Sequence, residues 1–65
     1  MNKLIDVTEN GSNRKLSILV SNILFVEALN YSSGTTVTVI TLVGNKEIHV
    51  NEKTDYVKQL INQAS

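Results

Sequence analysis

The segment TTVTVITLVGNKEIHV, residues 35 to 50, predicts a β-hairpin. Its first half is rich in β-branched residues and its second half alternates apolar and polar residues, a pattern that is typical of two strands. Between them, Gly44-Asn45 predicts a two-residue hairpin loop whose first residue has a positive φ. The first strand is apolar or β-branched on both faces. Each of its faces therefore needs a cover.

The sequence on the N-terminal side predicts three further strands. Alternating residues indicate a strand at about 3–9, with Ile5 and Val7 on one face, and another at about 14–20, with Leu16, Ile18 and Val20 on one face; the turn residues NGSN join them. ILFVEAL indicates a third strand at about 23–29, with Leu24, Val26 and Ala28 on one face and Ile23, Phe25, Glu27 and Leu29 on the other. With strands at about 35–43 and 46–50, these segments form an antiparallel meander, because every connection is short.

The C-terminal segment changes to a helical period. Val57, Leu60, Ile61 and Ala64 lie at i, i+3, i+4 and i+7, which predicts an amphipathic helix over about 52–63. We expect Asn51 as the N-cap, with Glu52 and Asp55 placing negative charge in the first turn. The fold class predicted for residues 1–65 is therefore α+β, mainly β, in a single domain.

The length of the chain limits its stability. A domain of 65 residues buries only about 60% of the surface that its unfolded chain exposes. Small domains are reinforced by disulfides, metals or partner chains. This chain has no Cys and one His, so we expect no cofactor and no metal, and self-association is the reinforcement that remains.

A helix of about twelve residues is roughly 18 Å long and covers one side of a small sheet. We therefore expect the second side to stay uncovered in one copy and to bind another copy, most simply as a dimer. The interface predicted from the pattern contains Leu19, Phe25, Val37 and Val39. Pairing of an edge strand across a two-fold axis would serve the same purpose. The alternative is a strongly curled sheet that buries both faces within one chain, as small barrels do.

The sequence offers little for catalysis. His49 is the only natural candidate for a general base, and Glu27 on a neighbouring strand is its candidate partner. A surface cross-strand pair is the favoured interpretation, with a proton-transfer pair as the alternative. The SSG stretch at 32–34 does not have the spacing of a phosphate-binding loop. We predict that the chain is not an enzyme.

The charges are balanced, with six basic and six acidic residues. Nucleic-acid binding normally requires a basic patch, and none is visible in the sequence. Nucleic-acid binding is therefore only the alternative function, with Arg14, Lys15 and Lys46 as the candidate contacts. Asp6 lies where a signal peptide would need apolar residues, and no stretch approaches the roughly 20 apolar residues of a membrane span. We therefore expect a cytoplasmic protein with no membrane partner.

Several segments resemble the small FlbD-like flagellar protein family. The matching positions are Ile23 to Glu27, Thr41-Leu42, Gly44, Val50, Glu52, and Val57 with Ile61, whereas the NYSSG stretch departs from the family pattern. More distantly, ILFVEAL and TLVGNKEIHV resemble the β-rich LytTR type of DNA-binding domain. The first resemblance rests on structural positions that carry no chemistry and implies no flagellar role, whereas the second implies contacts with DNA.

The sequence as a whole predicts a small non-catalytic interaction or regulatory module. We expect it to self-associate through its sheet and to bind an unidentified protein partner, as an accessory or phage protein would. The alternative is a nucleic-acid-binding regulator that acts as a homo-oligomer.

Overall fold

The computed structural model describes residues 3–64. In chain order the elements are β1 (Leu4–Thr8), β2 (Lys15–Leu19), a 3₁₀ turn (Val20–Asn22), β3 (Ile23–Asn30), β4 (Thr36–Leu42), β5 (Lys46–Val50) and α1 (Thr54–Ala64). All strand pairs are antiparallel. The predicted fold class, α+β and mainly β with a C-terminal helix, is confirmed.

The strands form two sheets rather than one continuous meander. One sheet is β1-β2 and the other is β3-β4-β5. The division falls at the 3₁₀ turn, where Val20 N–H still bonds to Lys3 C=O at 2.9 Å but Asn22 C=O accepts Val43 N–H at 2.8 Å. At this turn the chain stops pairing with β1 and continues from β2 into β3, which lies beside β4 in the second sheet. A single bridge between Glu9 and Val50 links the two sheets.

The hairpin of β1 and β2 confirms the turn predicted at residues 10–13. Glu9 N–H donates to Arg14 C=O at 2.8 Å, and Asn13 N–H donates to Glu9 C=O at 3.0 Å. Gly11 and Asn13 both have positive φ, 98° and 60°. Gly and Asn tolerate this region of backbone space, which explains why the turn forms here.

The loop between β4 and β5 is longer than predicted. Leu42 pairs directly with Lys46, so the loop has three residues, 43–45, and not two. Asn45 N–H donates to Leu42 C=O at 3.1 Å, and both Gly44 and Asn45 have positive φ. The expected positive φ at Gly44 is therefore confirmed, but Val43 belongs to the loop and not to the strand.

The helix begins two residues later than predicted. Val57 N–H donates to Lys53 C=O at 3.0 Å, and α1 runs from Thr54, with Asp55 in its first turn. The prediction of Asn51 as the N-cap is wrong. Its side chain accepts a hydrogen bond from Asn10 Nδ2 and donates one to Asn13 Oδ1, so it holds the β1–β2 turn instead.

One core lies between the two sheets and the helix. Its buried members are Ile5, Val7, Ile18, Ile40, Val50 and Val57, and the helical residues Leu60, Ile61 and Ala64 pack against them. The inward positions predicted on β1, β2 and α1 are thereby confirmed. Burial of apolar side chains is the dominant stabilising contribution to such a fold.

Strand β4 is the central strand, and both of its faces are buried. Thr38 and Ile40 face the core, while Val37, Val39 and Thr41 on the opposite face are only 5 to 6% exposed in a single copy. The expectation that this face of β4 stays uncovered in one copy is therefore wrong. The neighbouring strands carry larger side chains opposite it, Glu27 and Leu29 on β3 and His49 on β5.

Candidate interaction surface

The edge strand β3 is the most exposed regular element of the described chain. It has eight residues, and within residues 3–64 it pairs only with β4. Six of its residues are exposed and two are half-buried. A long edge strand of this kind presents unpaired backbone donors and acceptors to any other strand that approaches.

A β-bulge near the start of β3 changes the facing of its first residues. Ile23 pairs with Leu42 but Phe25 pairs with Thr41, so Leu24 is the extra residue. Ile23 consequently packs against the core, whereas Leu24 is about half exposed. The sequence pattern placed Ile23 on the same face as Phe25, and this is wrong because a bulge reverses the alternation.

Four large side chains are exposed along β3 and just beyond its end. They form what we call the β3 patch: Leu24, Phe25, Leu29 and Tyr31. Phe25 is the most exposed of them, at 59%. Isolated exposed apolar residues are normal on protein surfaces, but a cluster of them on one strand is typical of an interaction site.

The structure brings together only part of the interface predicted from the sequence. Phe25, Val37 and Val39 share the outer face of the three-stranded sheet. Phe25 pairs with Thr41, which lies on the same face of β4 as Val37 and Val39. Leu19 instead pairs with Leu4 on the outer face of the other sheet. Of the four predicted residues, Phe25 alone offers a large exposed surface on β3, and Leu29 and Tyr31 were not among them.

The candidate pair Glu27 and His49 lies on two strands that are not neighbours. Val39 sits between them, paired with Glu27 on one side and with His49 on the other. Two strand spacings separate their backbones by about 9.5 Å. Together with Leu29 and Glu47 they line a shallow groove of about 150 Å³. No hydrogen bond joins the two side chains within the described residues, so the geometry gives this pair no means of transferring a proton directly.

The three candidate nucleic-acid contacts do not form a patch within one copy. Arg14 and Lys15 lie at the β1–β2 turn, whereas Lys46 begins β5 at the far end from Val50, which bridges to Glu9 beside that turn. Arg14 Nε is 3.3 Å from Glu9 Oε1. Nucleic-acid binding therefore stays a prediction from the sequence.

Two carboxylates have altered acidity, and both make structural hydrogen bonds. The Ser12 hydroxyl holds the pKa of Glu9 below its usual value; desolvation opposes this effect, and the hydrogen bond and positive charge of Arg14 add to it. Burial raises the pKa of Glu52, but hydrogen bonds from Thr8 and attraction by Lys15 outweigh it, so that this pKa is also lowered. Because each carboxylate is engaged in holding a turn or strand end, neither is arranged as an acid or base.

Within residues 3–64 no group of three or more His, Asp or Glu side chains is placed to hold a metal ion. The one described helix is too short to cross a membrane. Comparison with known proteins finds no matching family model, no matching curated protein and no matching solved structure. The resemblances to flagellar and LytTR proteins therefore stay expectations.

Proposed function

We propose that this chain is a small non-catalytic interaction module that self-associates through the β3 side of its three-stranded sheet. The observation that carries the proposal is that an eight-residue edge strand, whose outer side pairs with no other strand within residues 3–64, also carries the exposed apolar side chains of the β3 patch. An edge supplies backbone hydrogen bonds, and the patch supplies apolar area. Both are needed for stable association by strand pairing.

The size of the molecule supports a second copy as the partner. A standard interface buries about 800 Å² on each partner, and the whole surface of this chain is 4565 Å². Shielding of that extent would add substantially to the stability of a domain whose own core is small. A regulatory or accessory role and a cytoplasmic location stay predictions from the sequence.

The test is the solution mass of the chain measured by sedimentation over a wide range of concentration. The unaltered chain should pass from monomer to dimer as concentration rises. Phe25→Asp should weaken this association by roughly thirtyfold or more, since aromatic hot spots contribute ~2 kcal/mol or more to binding. The variant should still fold, because Phe25 is mostly exposed.

Leu4→Asp is the matched control. Leu4 is 57% exposed, almost the same as Phe25, but lies on the outer face of the two-stranded sheet. It should leave the monomer–dimer equilibrium unchanged. A chain that stays monomeric at the highest concentration, or equal effects of the two substitutions, would contradict the proposal.

A further inference from the structure

We propose that the two copies associate by antiparallel pairing of β3 with β3, with Ala28 of each copy on the two-fold axis. This inference rests on the proposed function and specifies the partner and the register of the same surface. The resulting assembly would be one continuous six-stranded sheet. Three observations lead to it: which backbone groups are free, which edges are protected, and where like charges would meet.

The register within the sheet shows which backbone groups of β3 point outward. Tyr31 N–H donates to Thr35 C=O at 2.8 Å, and this pair continues the β3–β4 ladder beyond Asn30 and Thr36. Hydrogen-bonded pairs alternate in antiparallel sheets, so the odd-numbered residues of β3 bond to β4. The N–H and C=O groups of Val26, Ala28 and Asn30 therefore point away from the sheet, toward a partner strand.

The edges of the molecule differ in how they are protected. Strand β2 is an edge of only five residues, and it begins with the basic residue Lys15, directly after Arg14. Strand β3 contains no Lys, Arg or Pro, and its one irregularity, the bulge at Leu24, lies near its start. Short length, basic residues and bulges are the devices that keep edges from pairing, and most of β3 lacks them.

The choice of register follows from the regular part of the strand and from Glu27. The uninterrupted ladder runs from Phe25 to Tyr31, and its centre is Ala28. With the two-fold axis at Ala28, every residue from Phe25 to Tyr31 of one copy pairs with a residue of the other copy. An axis at Glu27 would instead place two carboxylates directly opposite each other, and like charges in that position are destabilising.

The proposed register creates an aromatic pair on the outer face and keeps the two Glu27 carboxylates from lying directly opposite each other. Phe25 of one copy lies opposite Tyr31 of the other, and Glu27 lies opposite Leu29. These are positions without backbone hydrogen bonds between the copies, where side chains approach most closely. Aromatic pairs in such positions stabilise antiparallel strands. The small side chain of Ala28 at the axis leaves space for the two chains to meet.

The absence of Cys from the sequence allows a direct test with single cysteine variants. Ala28→Cys should form a disulfide-linked dimer under mild oxidation, because residues that pair across the axis have Cα atoms about 5.5 Å apart, within the range of a disulfide. Glu27→Cys reports on the competing register. Ser17→Cys, exposed on β2, measures cross-linking by random collision. Each variant is followed by electrophoresis without reductant and by sedimentation of the reduced protein.

We expect Ala28→Cys to cross-link about tenfold faster than the other two variants, since disulfide formation depends steeply on geometry. Faster cross-linking of Glu27→Cys than of Ala28→Cys would overturn the register. If the chain dimerises but both β3 variants react no faster than Ser17→Cys, the registers centred on Ala28 and on Glu27 are both overturned, while self-association itself stands. A chain that is monomeric by sedimentation would overturn this inference and the proposed function together.

Discussion

The carboxylate of Glu52 accepts the backbone N–H of Thr8 at 2.8 Å, although 44 positions separate them in the sequence. Beside it, Asn51 N–H donates to Thr8 C=O at 2.9 Å. Both outward backbone groups of Thr8 are thus satisfied by the segment that leads into α1. These two hydrogen bonds anchor the end of β1 to the segment that precedes α1.

Replacing Glu52 by Gln should weaken this anchor. We expect a loss of about 1 kcal/mol in the free energy of unfolding at neutral pH, as for a hydrogen bond that loses its charged acceptor. The pKa of Glu52 is lowered in the folded chain, so its stabilising effect is present above the unfolded pKa and is lost as the pH falls through the folded value. The parent should therefore lose stability below about pH 4.3, the usual pKa of Glu.

Urea unfolding followed by circular dichroism at neutral and acidic pH measures both effects. Glu52→Gln should show a shallower loss of stability on acidification than the parent. Glu47→Gln, which removes an exposed carboxylate from β5, is the control and should leave the difference between the two pH values unchanged. An equally steep acid loss in Glu52→Gln and the parent would contradict this role for Glu52.

The hydroxyl of Thr38 is buried and donates to Glu52 C=O at 2.6 Å, with the Thr54 hydroxyl 3.2 Å away. Thr38→Val keeps the shape of the side chain but leaves that carbonyl without its donor, at a cost of about 1 to 3 kcal/mol. Thr36→Val is the matched control, because the Thr36 hydroxyl donates to Asn30 Oδ1 at 2.8 Å from an exposed position on the same strand, where water can replace the lost bond. Equal unfolding midpoints for the two variants would argue against a stabilising role for this bond.

Ile40 is fully buried at the centre of β4 and packs with both sheets. Ile40→Val should cost about 1 kcal/mol, the usual effect of deleting a buried methylene group. The same substitution at Ile48, its half-buried partner on β5, should cost less. Chemical unfolding of the two variants provides the comparison, and a larger loss at Ile48 would show that the core is centred elsewhere.

The sequence was sufficient for the kind and order of the elements. Alternation predicted the inward positions Ile5, Val7 and Ile18, and helical spacing predicted that Val57 is buried. These predictions succeed because periodicity directly determines which side chains share a face. The turns at Gly11 and Gly44 were also predictable, since few residues other than Gly readily adopt the positive φ that both turns require.

The features that the sequence did not reveal depend on contacts between distant segments. The 3₁₀ turn that divides the sheets is stabilised by Val43 N–H reaching Asn22 C=O, and no local pattern indicates this bond. The bulge at Leu24 shifts the alternation by one residue without any Gly or Pro to mark it. Because of this shift, strict alternation predicts the wrong face for Ile23 and does not identify Leu24 as an exposed residue of the β3 patch.

The central position of β4 has a consequence for amide hydrogen exchange. By the alternation of its ladders, the amides of Val37, Val39 and Thr41 bond to β3, whereas those of Thr38, Ile40 and Leu42 bond to β5. Transient detachment of β3 would therefore expose every second amide of β4 to solvent and leave the others protected. Exchange rates along this one strand would report separately on the opening of its two neighbours.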